Sequence, residues 1–497
     1  MVMGVDSWAL TDVGRARKHN EDGWLIDDEI GLYAVADGMG GHAAGEVASA
    51  YGLRCVQEQL LKRKPLLDEF TQNPTPEKRA QVLREVELAI NVASSAIFHM
   101  AQRDKKRHGM GTTLSMILLA SNKAFMAHVG DSRVYLARAN QIHQLSEDHS
   151  YLWEQIKKGA ITVEEARRSP FSNVITRAVG ITETVQVDTL VFDILPGDTY
   201  LCCSDGLHGY LEGEAELAQI LAAEDGEEIP RRLVGLANAR GGKDNITCVV
   251  VRVPGDAGDP SAVDIIEKLD ILRNIPLFRH LNYKELVKVH NQTTQRTLRA
   301  GEVVIQEQSE GDKFYVILSG EVEVTKGGRS LTILGPGVHF GEMALVDSAP
   351  RSASVRTRSE TCLLSLSRDA FHWLVRTEPV LASKLLWSFL QGLSLRLRAT
   401  NEALSDARSE SASRPPFAEL DEIRREASTL GTNEVHAQSP SDGRFSNGFS
   451  PTPNPAGASL NAAVRSPEGA ASDLSGEEVL GRASKPVGAG ISESDDP

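Results

Sequence analysis

The sequence predicts an α+β protein: antiparallel strands with helices packed outside them, followed by a small β-barrel or jelly roll closed by a helix. Three observations carry this. Short apolar runs alternate with two long amphipathic stripes through residues 1–253. Beyond residue 300, glycines punctuate strand-like segments at close intervals: Gly301, Gly311, Gly320, Gly327, Gly335, Gly337 and Gly341. A short Pro/Gly-rich stretch, 254–263, separates the two patterns.

In the first part, residues 7–12 and 31–36 have the pattern of strands. Residues 44–64 place Ala44, Val47, Tyr51 and Cys55 at helical spacing, and Val82, Val86, Ile90, Ala93, Ile97 and Met100 form a longer stripe. Three β-rich runs follow at 112–120, 123–129 and 133–137. Residues 148–180 are polar and basic, an excursion rather than core. Strands resume at 189–192, 199–203 and 246–253. Long helices among antiparallel strands give sheets with helices on the outside.

The second part opens with short helices at 263–274 and 283–290, runs through the Gly-punctuated strands, and closes with a helix. Ala382, Leu386, Phe389, Leu393 and Leu397 share one face of that helix, as core or as a dimer seam. The expected division is 1–253, a linker at 254–263, a second domain at 264–400, and a tail at 405–497. The tail is rich in Ser, Pro, Ala and Gly, and such a composition predicts disorder. Its Ser-Pro and Thr-Pro pairs read as solvated linker.

A length of 497 residues accommodates roughly two to four domains. The net charge of −15 argues against a nucleic-acid partner held through its phosphates. The five cysteines lack the spacing of zinc ligands or of a disulfide framework, which points to a reducing compartment. No signal pattern or 18-residue apolar run stands out, so a cytoplasmic location and no membrane partner are expected.

Acidic residues recur beside Gly, Ser or Asn at strand ends. Asp37-Gly38 ends an apolar run, with a carboxylate beside a backbone flexible enough to aim its carbonyl at the same point. Glu21 and Asp22 follow the first strand. Asp131 lies in Gly130-Asp131-Ser132, Asp205 follows Cys203-Ser204, and Asp244 precedes the last strand. One such Asp is an ordinary turn former. Several brought to one sheet edge would form an oxygen-only cluster suited to Mg²⁺ or Mn²⁺. His19, His143 and His149 read as structural or solvated.

The ordered blocks Arg17-x-x-Asn20-Glu21-Asp22, Asp37-Gly38-Met39-Gly40-Gly41-His42, Gly111-Thr112-Thr113, Gly130-Asp131-Ser132-Arg133, Cys203-Ser204-Asp205-Gly206-Leu207 and Asp244-Asn245 resemble the metal-dependent protein phosphatases of type 2C. The Met-Gly-Gly-His form, with Met39 where eukaryotic members have His, is that of the bacterial branch. The resemblance covers residues 1–253 and implies a β-sandwich flanked by helices. It implies two Mn²⁺ or Mg²⁺ ions, with a weaker third. Asp37 would bridge two metals, the Gly38 carbonyl would bind one, and Asp205 and Asp244 would hold the other. Glu21 and Asp22 would orient bound waters. Asp131, Asp205 and the Asn173 carbonyl would hold the third ion. Arg17 would grip the phosphate, and His42 is the candidate general acid. The implied reaction is in-line attack of a metal-activated water on phosphoserine or phosphothreonine. Substrates would be phosphoproteins made by opposing Ser/Thr kinases. A catalytically dead scaffold that docks phosphoproteins is the alternative.

Residues 340–353, Phe-Gly-Glu-Met-Ala-Leu-Val-Asp-Ser-Ala-Pro-Arg-Ser-Ala, can start a short helix whose amides face an anion, with Arg351 supplying full charge. This stretch resembles the phosphate-binding cassette of cyclic-nucleotide-binding domains, over about residues 264–400. By that resemblance Glu342 meets the ribose 2′-hydroxyl and Arg351 the cyclic phosphate, with the Gly341, Met343 and Ala344 amides assisting. Ser352 stands where the family often has Ala for cAMP and Thr for cGMP; the expectation leans to cAMP. Nucleotide binding is then expected to alter access to the phosphatase site, through the closing helix and linker. The alternative is a purely structural second domain.

Overall fold

Strands that are apolar on both faces need cover on both sides, and the first half of the chain supplies it with four layers. In this computed structural model the described residues are 4–40, 44–167, 169, 171, 174–223, 225–255 and 258–413. The chain begins with β1 (Asp6–Asp12), β2 (Asp22–Asp27) and β3 (Leu32–Met39), then α1 (Ala44–Leu61), α2 (Lys64–Gln72) and α3 (Pro76–Arg103). Next come β4 (Gly111–Thr112), β5 (Leu114–Ala120), β6 (Lys123–Val129), β7 (Arg133–Arg138), β8 (Gln141–Gln144), α4 (Tyr151–Lys157) and α5 (Val163–Arg167). The half ends with β9 (Asp188–Asp193), β10 (Thr199–Cys203), α6 (Asp205–His208), α7 (Glu214–Leu221), α8 (Glu228–Ala239) and β11 (Ile246–Arg252).

One sheet has the order β1-β11-β10-β7-β8; the other is β2-β3-β5-β6-β9, with β4 paired to β3. Alternation along each strand sorts the layers. Tyr33 and Val35 face inward to meet Val249 and Val251. Leu32, Ala34 and Ala36 face outward, onto the buried stripe of α1 and α3 (Ala48, Val86, Ile90, Ile97). On the opposite side Leu201, Cys203 and Val250 face Leu217, Leu221 and Leu233 of α7 and α8. Helix α3 starts where its local chemistry dictates: Thr75 caps the Lys78 amide and Pro76 occupies the first turn.

The second half contains α9 (Pro260–Asn274), α10 (Tyr283–His290), β12 (Thr293–Leu298), β13 (Val303–Ile305), β14 (Lys313–Ser319), β15 (Val322–Lys326), β16 (Arg329–Leu334) and β17 (His339–Phe340). A 3₁₀ turn at Glu342–Leu345 precedes β18 (Ser354–Thr357), β19 (Thr361–Ser367), α11 (Arg368–Thr377) and α12 (Pro379–Ser413). Two four-stranded sheets, β12-β19-β14-β17 and β13-β18-β15-β16, form a β-roll around Ile305, Ile317, Val322, Phe340 and Leu363. A capping box between Asn282 and Glu285 starts α10.

The two halves share a core. Leu269, Leu272, Phe278 and Leu286 extend the inter-sheet apolar cluster toward Phe314 and Leu364 of the roll. A polar clasp lies beside it. Arg138 donates to both Asp198 carboxylate oxygens (2.7 and 2.5 Å), to the Asp193 carbonyl (2.6 Å) and to the Tyr283 hydroxyl (2.7 Å). His143, expected to be structural or solvated, stacks on the Tyr283 ring with centroids 3.8 Å apart.

Several expectations need correction. Strand β3 does not stop at Asp37-Gly38; it runs to Met39, because β4 extends the ladder past the glycine. Asp22 opens β2 rather than lying in a loop, and α2, β8 and α6–α8 were not foreseen. Of the α12 face drawn through Ala382, Leu386, Phe389, Leu393 and Leu397, Ala382 is buried and Phe389 packs against the core, whereas Leu386, Leu393 and Leu397 are exposed; Leu381 and Leu385 complete the buried contact. Residues 405–413, expected to be disordered, continue α12. Extending an existing helix is far easier than nucleating one, and Leu404, Ala407 and Arg408 are good helix formers. The rest of the expected tail lies outside the described residues. Among those described, no helix is long and apolar enough to cross a membrane.

Removing one member of a buried ion pair strands the other charge. Arg138→Met is therefore expected to lower the free energy of unfolding by about 3–5 kcal/mol, measured by urea denaturation. An unchanged midpoint would show that the clasp contributes nothing.

Candidate functional site

Register brings the acidic residues together. In one sheet Cys203 lies opposite both Arg133 and Cys248, and Asp12 opposite Ile246. The end of β10, the starts of β7 and β11 and the end of β1 thus share one edge. In the other, Asp22 faces Asp37 directly, and Leu114 faces Val129. The two edges coincide at one end of the sandwich, so Asp22, Asp37, Asp131, Asp205 and Asp244 act electrostatically on one another there.

The backbone around them is heavily tied. The Asp37 amide donates to Thr113 Oγ1 (2.8 Å), while the Asp37 carbonyl accepts from the Thr113 amide (2.8 Å) and Thr112 Oγ1 (2.9 Å). The Gly38 amide donates to the Glu21 carbonyl at 3.1 Å. A Cβ at Gly38 would lie 2.1 Å from the Gly45 carbonyl oxygen, so only glycine brings β3 this close to the start of α1. Asn245 Oδ1 accepts from the Glu21 amide (2.9 Å), and its Nδ2 donates to the carbonyls of Val13 and His19. Thus the last strand holds the loop that carries Glu21. Arg17, largely exposed, donates to Asp244 Oδ2 at 2.7 Å.

The carboxylates carry the mark of crowded burial. Burial, then the neighbouring Asp205 and Asp244 charges, raise Asp22 to about 7, against hydrogen bonds from Thr247 and Ser204. Burial and the Asp205 and Asp148 charges raise Asp131 to about 8. Asp37 is pushed well above the carboxylate range by burial and by four other acids. Asp205 is raised by burial and Asp244, with a hydrogen bond from Asp37 opposing. Glu21 is raised chiefly by burial, with Arg17 opposing.

Asp22 Oδ1 and Asp205 Oδ1 are buried with no hydrogen-bond partner. Such orphans in a cluster of repelling acids fit a hard cation as the missing counter-charge. Among the described residues no three acidic, His or Cys side chains form a ready metal cage; Arg17 engages Asp244 and Asp37 engages Asp205 instead. His42 and Asn173 lie outside the described residues.

A second site centres on Arg351, only 9% exposed. Its guanidinium donates to the Lys313 carbonyl (2.7 Å) and the Gly341 carbonyl (3.4 Å). Glycines line it: a Cβ on Gly311 or Gly341 would stand 1.8 or 2.8 Å from its nitrogens. Burial lowers its pKa, opposed by Tyr315, Asp312 and Glu342. A cation so placed fits an anion. The expected short helix is a 3₁₀ turn begun by left-handed Gly341 (φ 79°). The Ala344 amide donates to the Gly341 carbonyl at 3.2 Å, while Met343 and Ser352 are exposed.

Residues 15–228 match the model of the Protein phosphatase 2C family, and residues 295–378 that of the Cyclic nucleotide-binding domain. The chain is 38% identical over 245 residues to the Serine/threonine phosphatase stp of Listeria monocytogenes serovar 1/2a, spanning 48% of this chain and 93% of that protein. It belongs to the protein phosphatase 2C family. The phosphatase is likewise similar to the Serine/threonine protein phosphatase PstP of Mycobacterium tuberculosis (strain H37Rv), 36% identical over 245 residues, covering 49% of this chain and 44% of that one. The crystal structure of the Mycobacterium tuberculosis serine/threonine phosphatase PstP/Ppp is 34% identical, with 50% of this chain and 99% of that one covered and a TM-score of 0.45. The chain is a protein serine/threonine phosphatase.

Some site neighbours escaped the sequence reading. Ser204 donates to Asp22 Oδ2 (2.8 Å) and Ser132 bonds Thr113 (2.7 Å). His208, a partly buried residue whose pKa desolvation pulls down to about 3, contacts the Asp131 carbonyl at 2.9 Å. Its spacing of three from Asp205 is the one signal that pointed to it.

Asp22 and Asp131 titrate near 7 and 8 in the folded chain and at about 3.9 when unfolded. A raised folded pKa gives stability that is complete below the unfolded value and lost as pH rises through the folded one. With chelator present, the melting temperature should fall between pH 5 and 8.5, and Asp131→Asn should flatten the fall. A wild-type melting temperature that rises across this range would contradict the burial of these acids.

Proposed function

We propose that the phosphatase hydrolyses phosphoserine and phosphothreonine in proteins with two divalent cations, Mn²⁺ or Mg²⁺, and a weaker third, under the control of a cyclic nucleotide. The observation that carries the reading is the crowded, mutually repelling set Asp22, Asp37, Asp131, Asp205 and Asp244 with two orphaned buried oxygens. When bound, the cations would acidify a water and offset phosphoryl charge.

Asp37, the Gly38 carbonyl, Asp205 and Asp244 would hold the pair, and Asp131 with Asp205 the third ion. Holding cations would favour the ionised carboxylates, so the protons that burial retains on Asp37, Asp131 and Asp205 would leave. Asp22, fixed by Ser204, and Glu21, fixed through Asn245, are placed to accept hydrogen bonds from waters at the cluster. Arg17, half-exposed at the surface, would exchange Asp244 for a phosphate, whose geometry its planar fork matches. His42 is the proposed general acid toward the leaving hydroxyl.

We assign residues 1–253 to catalysis and 264–400 to nucleotide binding. Arg351 would pair with the cyclic phosphate and Glu342 with the ribose. The Ser352 hydroxyl could serve either base, and the reading leans to cAMP. The partners are phosphoproteins made by Ser/Thr kinases, and the free cysteines support a reducing, cytoplasmic setting.

Phosphopeptide hydrolysis with Mn²⁺ should fall at least a hundredfold in Asp37→Asn or Asp205→Asn, by analogy with lost electrostatic groups in other sites; wild-type rates would defeat the assignment. Calorimetry should show cAMP binding that Arg351→Gln weakens by roughly a hundredfold, the scale of a lost charge-assisted pair. Equal phosphatase rates with and without saturating nucleotide would remove the regulatory part alone.

A further inference from the structure

Helix α10 belongs to the second half of the chain, yet both its ends are fastened to the first. At its start the Tyr283 hydroxyl accepts from Arg138, and the ring lies on His143. Just past its end Asn291 donates to the Val191 carbonyl at 2.6 Å. Between these anchors Lys284 enters the catalytic half. Its side chain is 8% exposed, and its ammonium lies 3.8 Å from the Asp188 carboxylate, with Glu147 acting on it too.

Asp188 joins this lysine to the loop that holds Asp131. It accepts from Arg177 at 3.0 Å and faces His149 Nε2 at 3.4 Å. The other ring nitrogen, His149 Nδ1, accepts from the Gly130 amide at 3.1 Å. Because Nδ1 accepts, the neutral ring carries its proton on Nε2, which faces Asp188 with Arg177 Nη1 3.2 Å away. The His149 amide in turn donates to the Gly130 carbonyl at 2.7 Å. One residue thus grips Gly130 at both backbone groups. Gly130 has φ +112°, and a Cβ there would stand 2.6 Å from Thr113, so the turn has little choice of shape. The next residue is Asp131.

We propose that Lys284 is a positioning residue for the phosphatase site: by countering Asp188 it fixes His149, and through His149 the Gly130–Asp131 turn. This rests on Asp131 belonging to the metal cluster, as proposed above. The same helix is also tied to the closing helices. Glu285 accepts from Lys384 of α12 at 2.7 and 2.8 Å, and Lys288 pairs with Glu378. A shift of α12 when nucleotide binds would therefore reach Asp131 through one rigid helix.

The test uses the full chain, Mn²⁺ and a phosphopeptide. Lys284→Met should lower kcat by about tenfold, as lost supporting partners of metal ligands do, with KM for the peptide unchanged. Lys284→Arg should restore most of the rate. Lys268→Met, a buried lysine of α9 paired with Asp264, should keep the wild-type kcat. Asp188→Asn should reproduce the loss, and the double variant should be no worse than either single one. The double variant removes both members of the Lys284–Asp188 pair together, so it keeps the test alive if a single variant unfolds. Wild-type kcat in Lys284→Met, or strictly additive losses, would overturn the proposal. An Asp131→Asn protein with wild-type Mn²⁺ dependence would overturn the reading of the cluster beneath it, a separate failure.

Discussion

Five carboxylates packed at one end of a sandwich repel one another, and burial strengthens that repulsion by removing the water that would screen it. The fold bears this load. Two sheets with opposite edges in register force Asp22 against Asp37 and bring β7, β10 and β11 to the same end. Threonine and asparagine side chains then fix the backbone, so the acids cannot relax by moving apart. What remains is to share protons, to recruit Arg17, or to take up cations.

The second half meets the first through packing rather than through a flexible tether. Arg138 spans Asp198, Asp193 and Tyr283, while Lys284 lies against Asp188. Each is a buried cation with a contact that crosses between the halves, and such contacts fix a relative orientation because any other leaves a charge unpaired. Arg351 has a comparable position within the roll, bonded to carbonyls and walled by glycines.

The acids themselves were legible, since each stands beside a glycine, serine or asparagine in a run that breaks a strand. Their convergence was not, because register is a long-range property and no local window contains it. The same limit hid Asp188 and His208: an Asp at a strand start and a His in a helix look ordinary until a partner from elsewhere arrives. Strand β2 was missed because Trp24, Leu25 and Ile26 sit between acids that resembled a loop. The leucines of α12 misled in the opposite sense. Helical spacing showed that they share a face, but spacing does not say whether anything covers it. In the second half the glycine rhythm disclosed the roll, whereas the depth of Arg351 depended on the close approach of Gly311.

The apolar cluster between the sheets has no wet boundary where the chain passes from β11 into α9; Leu269, Leu272 and Phe278 carry it onward. Neither half can lose its order without wetting surface that the other half keeps dry. The two halves are therefore bound into a single cooperative unit, and a substitution deep in the roll reaches the carboxylate cluster through shared stability.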